Sequence, residues 1–134
     1  MTRQRNLVDM ITRDLWTIGK LDVLDDLYRT EYVDHSPVPG FPEGPEGLKR
    51  LVATAHRELV DPVMTVEQFV ANGDWIAYRW RFRAHDTNAF LDDPLHGGEW
   101  DVHGHDMIRL RGDRIAEHWS EHDAGGLYER LATG

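Results

Sequence analysis

The stretch that decides the fold is WDVHGHDMIRLRGDRIAEHWSEHD, residues 100–123, which has the pattern of two long strands around a tight turn. Gly112 and Asp113 are residue types that favour two-residue hairpin turns. Positions equally distant from such a turn lie opposite each other, so Asp106 is expected opposite Trp119 and Gly104 opposite Glu121. The hairpin therefore predicts a sheet face that is mainly apolar, with carboxylates set into it.

Carboxylates on that face are the first candidates for chemistry. Asp106, Glu117, Glu121 and Asp123 fall among Val102, Ile108, Leu110, Ile115 and Trp119. Loss of solvation raises the pKa of a carboxyl group towards the range useful for general acid or base catalysis. The alternative is that Asp106 and Glu117 simply form structural ion pairs with the available arginines, which are Arg79, Arg81, Arg83, Arg109 and Arg114. Both interpretations stay open at this point.

The opposite face of the same hairpin is expected to be rich in histidine. Met107 is expected opposite His118, His105 opposite Ser120, and His103 opposite His122. Imidazoles on adjacent strands can bind a metal. The His-x-His pair lacks a glutamate at the spacing of metal-binding sheets, however. We therefore favour a wet or subunit-facing surface and predict no metal site.

The rest of the chain predicts three helices followed by strands. Helical spacing covers residues 7–18, ending at Gly19, then residues 21–28, then a helix from Pro45 to about Leu59. A short helix is also expected at 127–131. Strands 64–71 and 75–84 flank a predicted turn at Asn72-Gly73, and Tyr78, Trp80 and Phe82 share one strand face, as core or as substrate wall. The expectation is one α+β domain, residues 1–134, with helices on one side of the sheet.

Composition restricts the partners. The 134 residues carry a formal net charge of -9, which argues against nucleic acid or an anionic membrane as a partner. The chain contains no cysteine, so disulfides and thiolate chemistry are excluded. Charges occur throughout the first 16 residues, so no signal peptide or membrane span is expected there. We expect a cytoplasmic protein.

The same residues resemble a known family, the SnoaL-like polyketide cyclases. The resemblance covers nearly the whole chain and rests on YVDHSP (32–37), GPEGL (44–48), NGD (72–74), GHDMIR (104–109) and RIAEHW (114–119). It implies a cone-shaped, strongly curved antiparallel sheet packed against three N-terminal helices, as in nuclear transport factor two and ketosteroid isomerase. It also implies a hydrophobic pocket, a homodimer or larger assembly, and catalysis without metal or organic cofactor.

Site residues follow from the matched motifs. Asp106 matches the aspartate of the family's Gly-x-Asp strand, His118 and Trp119 match its Glu-His-Trp run, and Asp123 matches the aspartate four residues after that tryptophan. His35 matches the histidine of the first strand, where it is either a general base or a loop residue. Two departures concern the pocket: Ser120 stands where many relatives have Asp or Gly, and residues 84–98 follow the family's pocket-mouth loop only loosely.

The resulting hypothesis is intramolecular aldol-type ring closure of a hydrophobic carbonyl substrate. Asp106 or Asp123, assisted by His35, would remove a proton, and Glu121 would donate one to the oxyanion. Tyr78, Trp80, Phe82, His118 and Trp119 would line the pocket. The alternatives are an isomerase, dehydratase or epoxide hydrolase of the same fold, or a non-catalytic binding domain.

Overall fold

A computed structural model describes residues 2–38, 40–85 and 99–123 of the chain. The predicted helix at 127–131 and most of the predicted mouth loop, residues 86–98, lie outside the described residues. The elements in chain order are α1 (Arg3–Asp9), a π-helical continuation (Met10–Ile18), a 3-10 turn (Leu21–Val23), α2 (Leu24–Leu27), β1 (Tyr28–Asp34), α3 (Gly44–Glu58), β2 (Val60–Asn72), β3 (Trp75–His85), β4 (Glu99–Arg111) and β5 (Arg114–His122).

The strands form one sheet in the order β1-β5-β4-β3-β2. β2 to β5 pair antiparallel with their neighbours, whereas β1 runs parallel to β5 at one edge. Irregularities in the pairing of β1, β2 and β5 interrupt the regular ladder, and such bulges bend and twist a sheet. The α+β prediction with a curved sheet is confirmed, with one parallel edge strand as an exception to the antiparallel pattern.

The N-terminal helical segment ends at Gly19, as predicted. Gly19 adopts φ 83° and donates its N–H to the carbonyl oxygens of Asp14 and Leu15, an arrangement that closes a helix. The Thr17 hydroxyl accepts the N–H of Met64 at 2.9 Å and so ties this segment to β2. The segment buries Leu15 completely against the sheet.

The second helix is shorter than predicted. α2 ends at Leu27, and Tyr28, expected in the helix, begins β1 with its backbone in register with Ile115. Pairing with β5 replaces the helical hydrogen bonds there, so tertiary structure overrides the local helical pattern. α3 starts with Pro45 in its first turn and buries Leu51, as predicted.

The first hairpin turns one residue later than predicted. Asn72 pairs with Trp75, so Gly73 and Asp74 form the turn, and Gly73 supplies the positive φ of 59°. The Asp74 carbonyl accepts the N–H of Leu110 at 2.8 Å, which holds the turn against β4.

The second hairpin contains a bulge that the symmetric pairing rule did not foresee. Leu110 pairs with Ile115 as predicted, but the next residue, Arg109, pairs with Glu117. Ala116 is therefore an extra residue in β5, and both Ile115 and Ala116 are buried. A single extra residue exchanges the two faces of a strand beyond it.

Beyond the bulge every predicted cross-strand pair of this hairpin is wrong by one position. Asp106 lies opposite Ser120 rather than Trp119, and Gly104 lies opposite His122 rather than Glu121. Ile108 faces His118 in the same way. The four histidines consequently do not share a face: His118 and His122 are on the helix-facing side with Asp106, while His103 and His105 are on the outer side.

The helices found in the described part of the chain include none that is long and apolar enough to cross a membrane.

Gly47→Ala is expected to destabilise the protein although it replaces glycine within a helix. An alanine Cβ at this position would lie 1.6 Å from the Pro42 carbonyl oxygen, so the segment before α3 would have to move. We expect a loss of about 1–3 kcal/mol of unfolding free energy, the usual cost of overpacking. Denaturant unfolding measures it.

The matched control is Ala53→Gly on the exposed side of α3, which should cost about 1 kcal/mol through helix propensity alone. A Gly47→Ala variant as stable as the parent would contradict the close packing of Pro42 on α3.

Candidate active site

A buried carboxylate lies at the centre of the helix-facing side of the sheet. Asp106 is 9% exposed, and its two oxygens accept hydrogen bonds from four side chains. The donors are Tyr78 Oη at 3.0 Å, Trp80 Nε1 at 2.9 Å, His118 Nε2 at 2.8 Å and Ser120 Oγ at 2.6 Å. Four donors fill the lone-pair sites of an ionised carboxylate.

Two neighbouring strands supply these donors. β3 alternates buried and outward residues, so Tyr78 and Trp80 both face Asp106 across the β3–β4 pair. β5 supplies His118 and Ser120 from the other side because of the Ala116 bulge. Gly104, paired with Trp80, leaves room for the indole: a Cβ there would lie 2.2 Å from Trp80 Cζ2.

The pKa of Asp106 is lowered, not raised as the sequence suggested. Burial by itself raises the pKa of this carboxyl group, but the charge of His118 and the hydrogen bonds from His118, Ser120 and Trp80 outweigh it. Asp106 is therefore ionised at neutral pH. A saturated, ionised carboxylate of this kind holds its neighbours in place and is poorly suited to accept a proton from a substrate.

His118 is the titratable partner of this carboxylate. Burial lowers the pKa of His118, but the charge and hydrogen bond of Asp106 outweigh burial, with a further contribution from Asp34, and the pKa rises above 6.5. Because an ionised carboxylate only accepts, Nε2 carries the proton and the neutral ring has its lone pair on Nδ1. Nδ1 is buried and has no hydrogen-bond partner among the described residues.

One cavity adjoins this pair, and a second lies nearby at the β1 edge of the sheet. The dyad cavity, about 60 Å³, is lined by Tyr28, Asp34, Asp106 and His118, by further polar side chains of Ser36, Ser120 and His122, and by largely apolar side chains of the helices, β2 and β3. The larger edge cavity, about 450 Å³, lies between β1, residues 37, 38 and 41–43, and the start of α3. Neither Asp106 nor His118 lines it, so of these two cavities only the smaller one contacts the dyad.

Tyr28 and Asp34 are site residues that the sequence did not single out. Burial raises the pKa of the Tyr28 hydroxyl well above 10.0, so it stays a proton donor at any physiological pH. The Tyr28 ring centre lies 6.3 Å from that of His118. Asp34 is in register with His118 on the neighbouring strand. Both belong to β1, whose motif directed attention to the following histidine instead.

Glu121 and Asp123 do not share the cavity with Asp106. Glu121 pairs with His105 on the outer face and is exposed, as the bulge requires. Asp123 follows the end of β5, where its side chain is 61% exposed and accepts the N–H of His103 at 2.7 Å. The expectation that three carboxylates crowd one dry pocket is wrong.

His35 and Trp119 also lie on the outer face. Their rings stack in parallel with centres 4.4 Å apart, and His35 Nε2 is 3.1 Å from Glu117 Oε1. Arg109 donates to the other oxygen of Glu117. The hydrogen bonds from Arg109 and His35 lower the pKa of Glu117. These residues form a surface cluster separate from the dyad cavity, so Trp119 is not a pocket wall.

The arginine alternative holds for the outer face but not for Asp106. Arg79 pairs with Glu67 at 3.0 Å, and Arg81 pairs with Asp101 at 2.6 Å. Of the predicted aromatic wall, Tyr78 and Trp80 line the dyad cavity, whereas Phe82 is core, edge-on to Trp16 with ring centres 5.9 Å apart. Within the described ranges no group of three or more histidine, aspartate or glutamate residues could hold a metal ion.

Comparison with known proteins decides the family. The model of the SnoaL-like polyketide cyclases matches residues 6–131. The chain belongs to the SnoaL-like polyketide cyclase family. No curated protein matches this SnoaL-like chain in sequence.

Solved structures of other proteins share the fold of this SnoaL-like domain. TsrD from Streptomyces laurentii has a TM-score of 0.79 and 23% identity, covering 96% of this chain and 94% of TsrD. IdmH from Streptomyces antibioticus, described as a candidate polyketide cyclase, has a TM-score of 0.77 and 23% identity, covering 98% and 99%. A SnoaL-like polyketide cyclase from Agrobacterium tumefaciens has a TM-score of 0.73 and 18% identity, covering 98% and 99%.

Gly104→Ala is expected to disrupt the donors around Asp106 without removing any of them. The new Cβ would push the Trp80 indole off β4 and break its bond to the carboxylate, so the pKa of Asp106 should rise. The resonance of the Trp80 indole N–H reports the displacement by NMR. Trp80→Phe, which has no indole, identifies that resonance by its absence, and an unchanged indole resonance in Gly104→Ala would contradict this packing.

Proposed function

We propose that this SnoaL-like domain, residues 1–134, catalyses cofactor-independent acid–base chemistry on a hydrophobic carbonyl substrate, namely aldol-type ring closure. The observation that carries the proposal is the buried His118–Asp106 pair: His118 lines the dyad cavity, and its imidazole Nδ1 has no hydrogen-bond partner among the described residues. His118 takes the role of base that the sequence analysis gave to an aspartate. Asp106 acts through His118 as a positioning residue.

His118 suits proton transfer near neutral pH. Its raised pKa places the two protonation states within reach of each other at physiological pH, as an efficient general base requires. The Asp106 carboxylate fixes the ring orientation and stabilises the imidazolium that forms when Nδ1 takes a proton. The low polarity of the surrounding core strengthens both effects.

Tyr28 supplies the oxyanion donor. Tyr28 lines the same cavity, and its hydroxyl stays protonated because burial raises its pKa. A fixed donor in a dry site stabilises the negative charge that develops on the substrate oxygen. This role was assigned to Glu121 from the sequence, and Glu121 lies on the other face.

The ring closure balances without a further reagent. His118 Nδ1 removes the proton from the carbon next to one carbonyl, giving an enolate whose oxygen Tyr28 binds. The enolate carbon attacks a second carbonyl of the same molecule and forms the carbon–carbon bond, while the imidazolium returns its proton to the new alkoxide. Loss of water from this aldol gives the cyclic enone.

A non-catalytic binding domain is less well supported by the same contacts. That alternative expected Asp106 and Glu117 to pair with arginines, which holds for Glu117 with Arg109 but not for Asp106, whose hydrogen-bond donors are Tyr78, Trp80, His118 and Ser120. Homo-oligomerisation belongs to the proposal as well. Trp75, Met107 and Val33 are between 41% and 50% exposed on the outer sheet face, an apolar patch suited to a second copy.

His118→Gln is expected to lower kcat by at least ~100-fold, the scale of one general acid–base contribution. Heptane-2,6-dione is a suitable probe because its closure to 3-methylcyclohex-2-enone can be followed by ultraviolet absorbance. His105→Gln, an exposed histidine on the outer face of β4, is the matched control and should retain the parental rate. Parental turnover by His118→Gln, or no catalysed closure by the parent, would overturn the assignment.

The pH profile separates the roles of the two residues. Activity requires neutral His118, so kcat/KM should rise with pH, with a midpoint above 6.5 because the His118 pKa is raised. Asp106→Asn removes the charge that raises this pKa, so the midpoint should fall to lower pH while the plateau drops. A midpoint that does not move would show that Asp106 acts only as structural support.

A further inference from the structure

The dyad cavity is too small to be a complete substrate site. Its volume of about 60 Å³ corresponds to about two water molecules at liquid density. Sites for small organic ligands usually enclose about 300–1,000 Å³. The edge cavity, about 450 Å³, has the missing volume but neither member of the dyad.

The two cavities share a wall. Asp34, Val38, Leu48 and Leu51 line both of them. Leu48 is only half-buried, on the first turns of α3, and Val38 lies on the segment between β1 and that helix. Apart from Asp34 this wall is apolar, and its side chains are of a size that rotamer changes can move aside.

We propose that one elongated ligand occupies both cavities, with its reacting carbonyl at His118 and its tail passing Leu48 into the edge cavity. This inference rests on the proposed function for the identity of the reacting end. The substrate is then a chain-like carbonyl compound with a long tail. The edge cavity then determines substrate specificity, while the dyad cavity holds only the reacting atoms.

The charged residues that line the edge cavity restrict which chemical groups the ligand's tail can carry. The described lining of this cavity includes Glu31, Asp34 and Glu43 and no lysine, arginine or histidine. Arg29 offsets Glu31 through an ion pair at 3.0 Å, so the remaining carboxylates leave the cavity negative. Tyr32 and Phe41 add aromatic surface. The tail is therefore neutral or cationic, because a carboxylate there would meet like charges without a partner.

The test measures binding rather than turnover, so its outcome is independent of whether ring closure occurs. In the His118→Gln background, calorimetry compares heptane-2,6-dione with dodecane-2,6-dione, which carries a hexyl in place of a methyl group. We expect the long probe to bind at least about tenfold more tightly. Each buried methylene contributes about 0.8 kcal/mol, so burial of only two of its five additional methylenes is enough for that gain. Two further probes have the hexyl tail ending in a carboxylate or in a trimethylammonium group.

Leu48→Trp in the same background should obstruct the passage from the dyad cavity into the edge cavity. The ratio of affinities for the long and the short probe should therefore fall at least ~10-fold. Affinity for the short probe should fall by a smaller factor, because Leu48 lines the dyad cavity as well but most of the added side chain obstructs the tail. Ala53→Trp, on the exposed side of α3 and outside both cavities, is the matched control and should leave the preference intact. Thermal unfolding of each variant checks that the fold is retained.

The proposal is supported if the long probe binds more tightly, Leu48→Trp removes that gain, and the carboxylate analogue binds at least ~10-fold more weakly than the neutral one. Equal affinity for long and short probes, loss of both in Leu48→Trp with an intact fold, or tight binding of the carboxylate analogue would overturn it. A failure of catalysis alone leaves these affinities unaffected and points to the proposed function instead.

Discussion

The Asp106 carboxylate carries its negative charge almost out of contact with water, and the arrangement of the site follows from that constraint. An ionised carboxyl group in a protein interior is strongly unfavourable unless hydrogen bonds and a counter-charge offset the lost hydration. Tyr78, Trp80 and Ser120 provide neutral donors, and His118 provides the donor that can become a cation. The same contacts that make the charge tolerable hold the imidazole in one orientation. Stability and reactivity therefore depend on one set of bonds.

His118 faces that carboxylate because β5 contains one extra residue, Ala116, which is not paired with β4. If Ala116 paired with Arg109 in a regular ladder instead, the histidine would lie opposite Met107 on the outer face and Trp119 would lie opposite Asp106. β-Bulges near active sites re-aim side chains in this manner. The bulge also explains why the outer face carries the stacked pair of His35 and Trp119 and its ion pairs, which are separate from the chemistry.

Much of the fold could be predicted from the sequence, because periodicity and turn chemistry report on local structure. The helix end at Gly19, the start of α3 near Pro45 and the pairing of Leu110 with Ile115 are examples. Asp106 could also be found, since it is a carboxylate flanked by apolar neighbours on an alternating strand. The lowered pKa of Asp106 could not be predicted, because it depends on donors from the two neighbouring strands, β3 and β5. Nor could the face of His118, because no residue type marks a bulge at Ala116 with certainty.

The central claim is that His118 is a base poised by an ionised Asp106, with its lone pair on Nδ1. The most direct measurement is an NMR titration of the ¹⁵N-labelled imidazole of His118 in the unliganded protein, which reports both its pKa and its neutral tautomer. The account predicts a pKa above 6.5 and, at high pH, a proton on Nε2 with Nδ1 bare. A pKa below 6.5, or a neutral ring protonated on Nδ1, would contradict it.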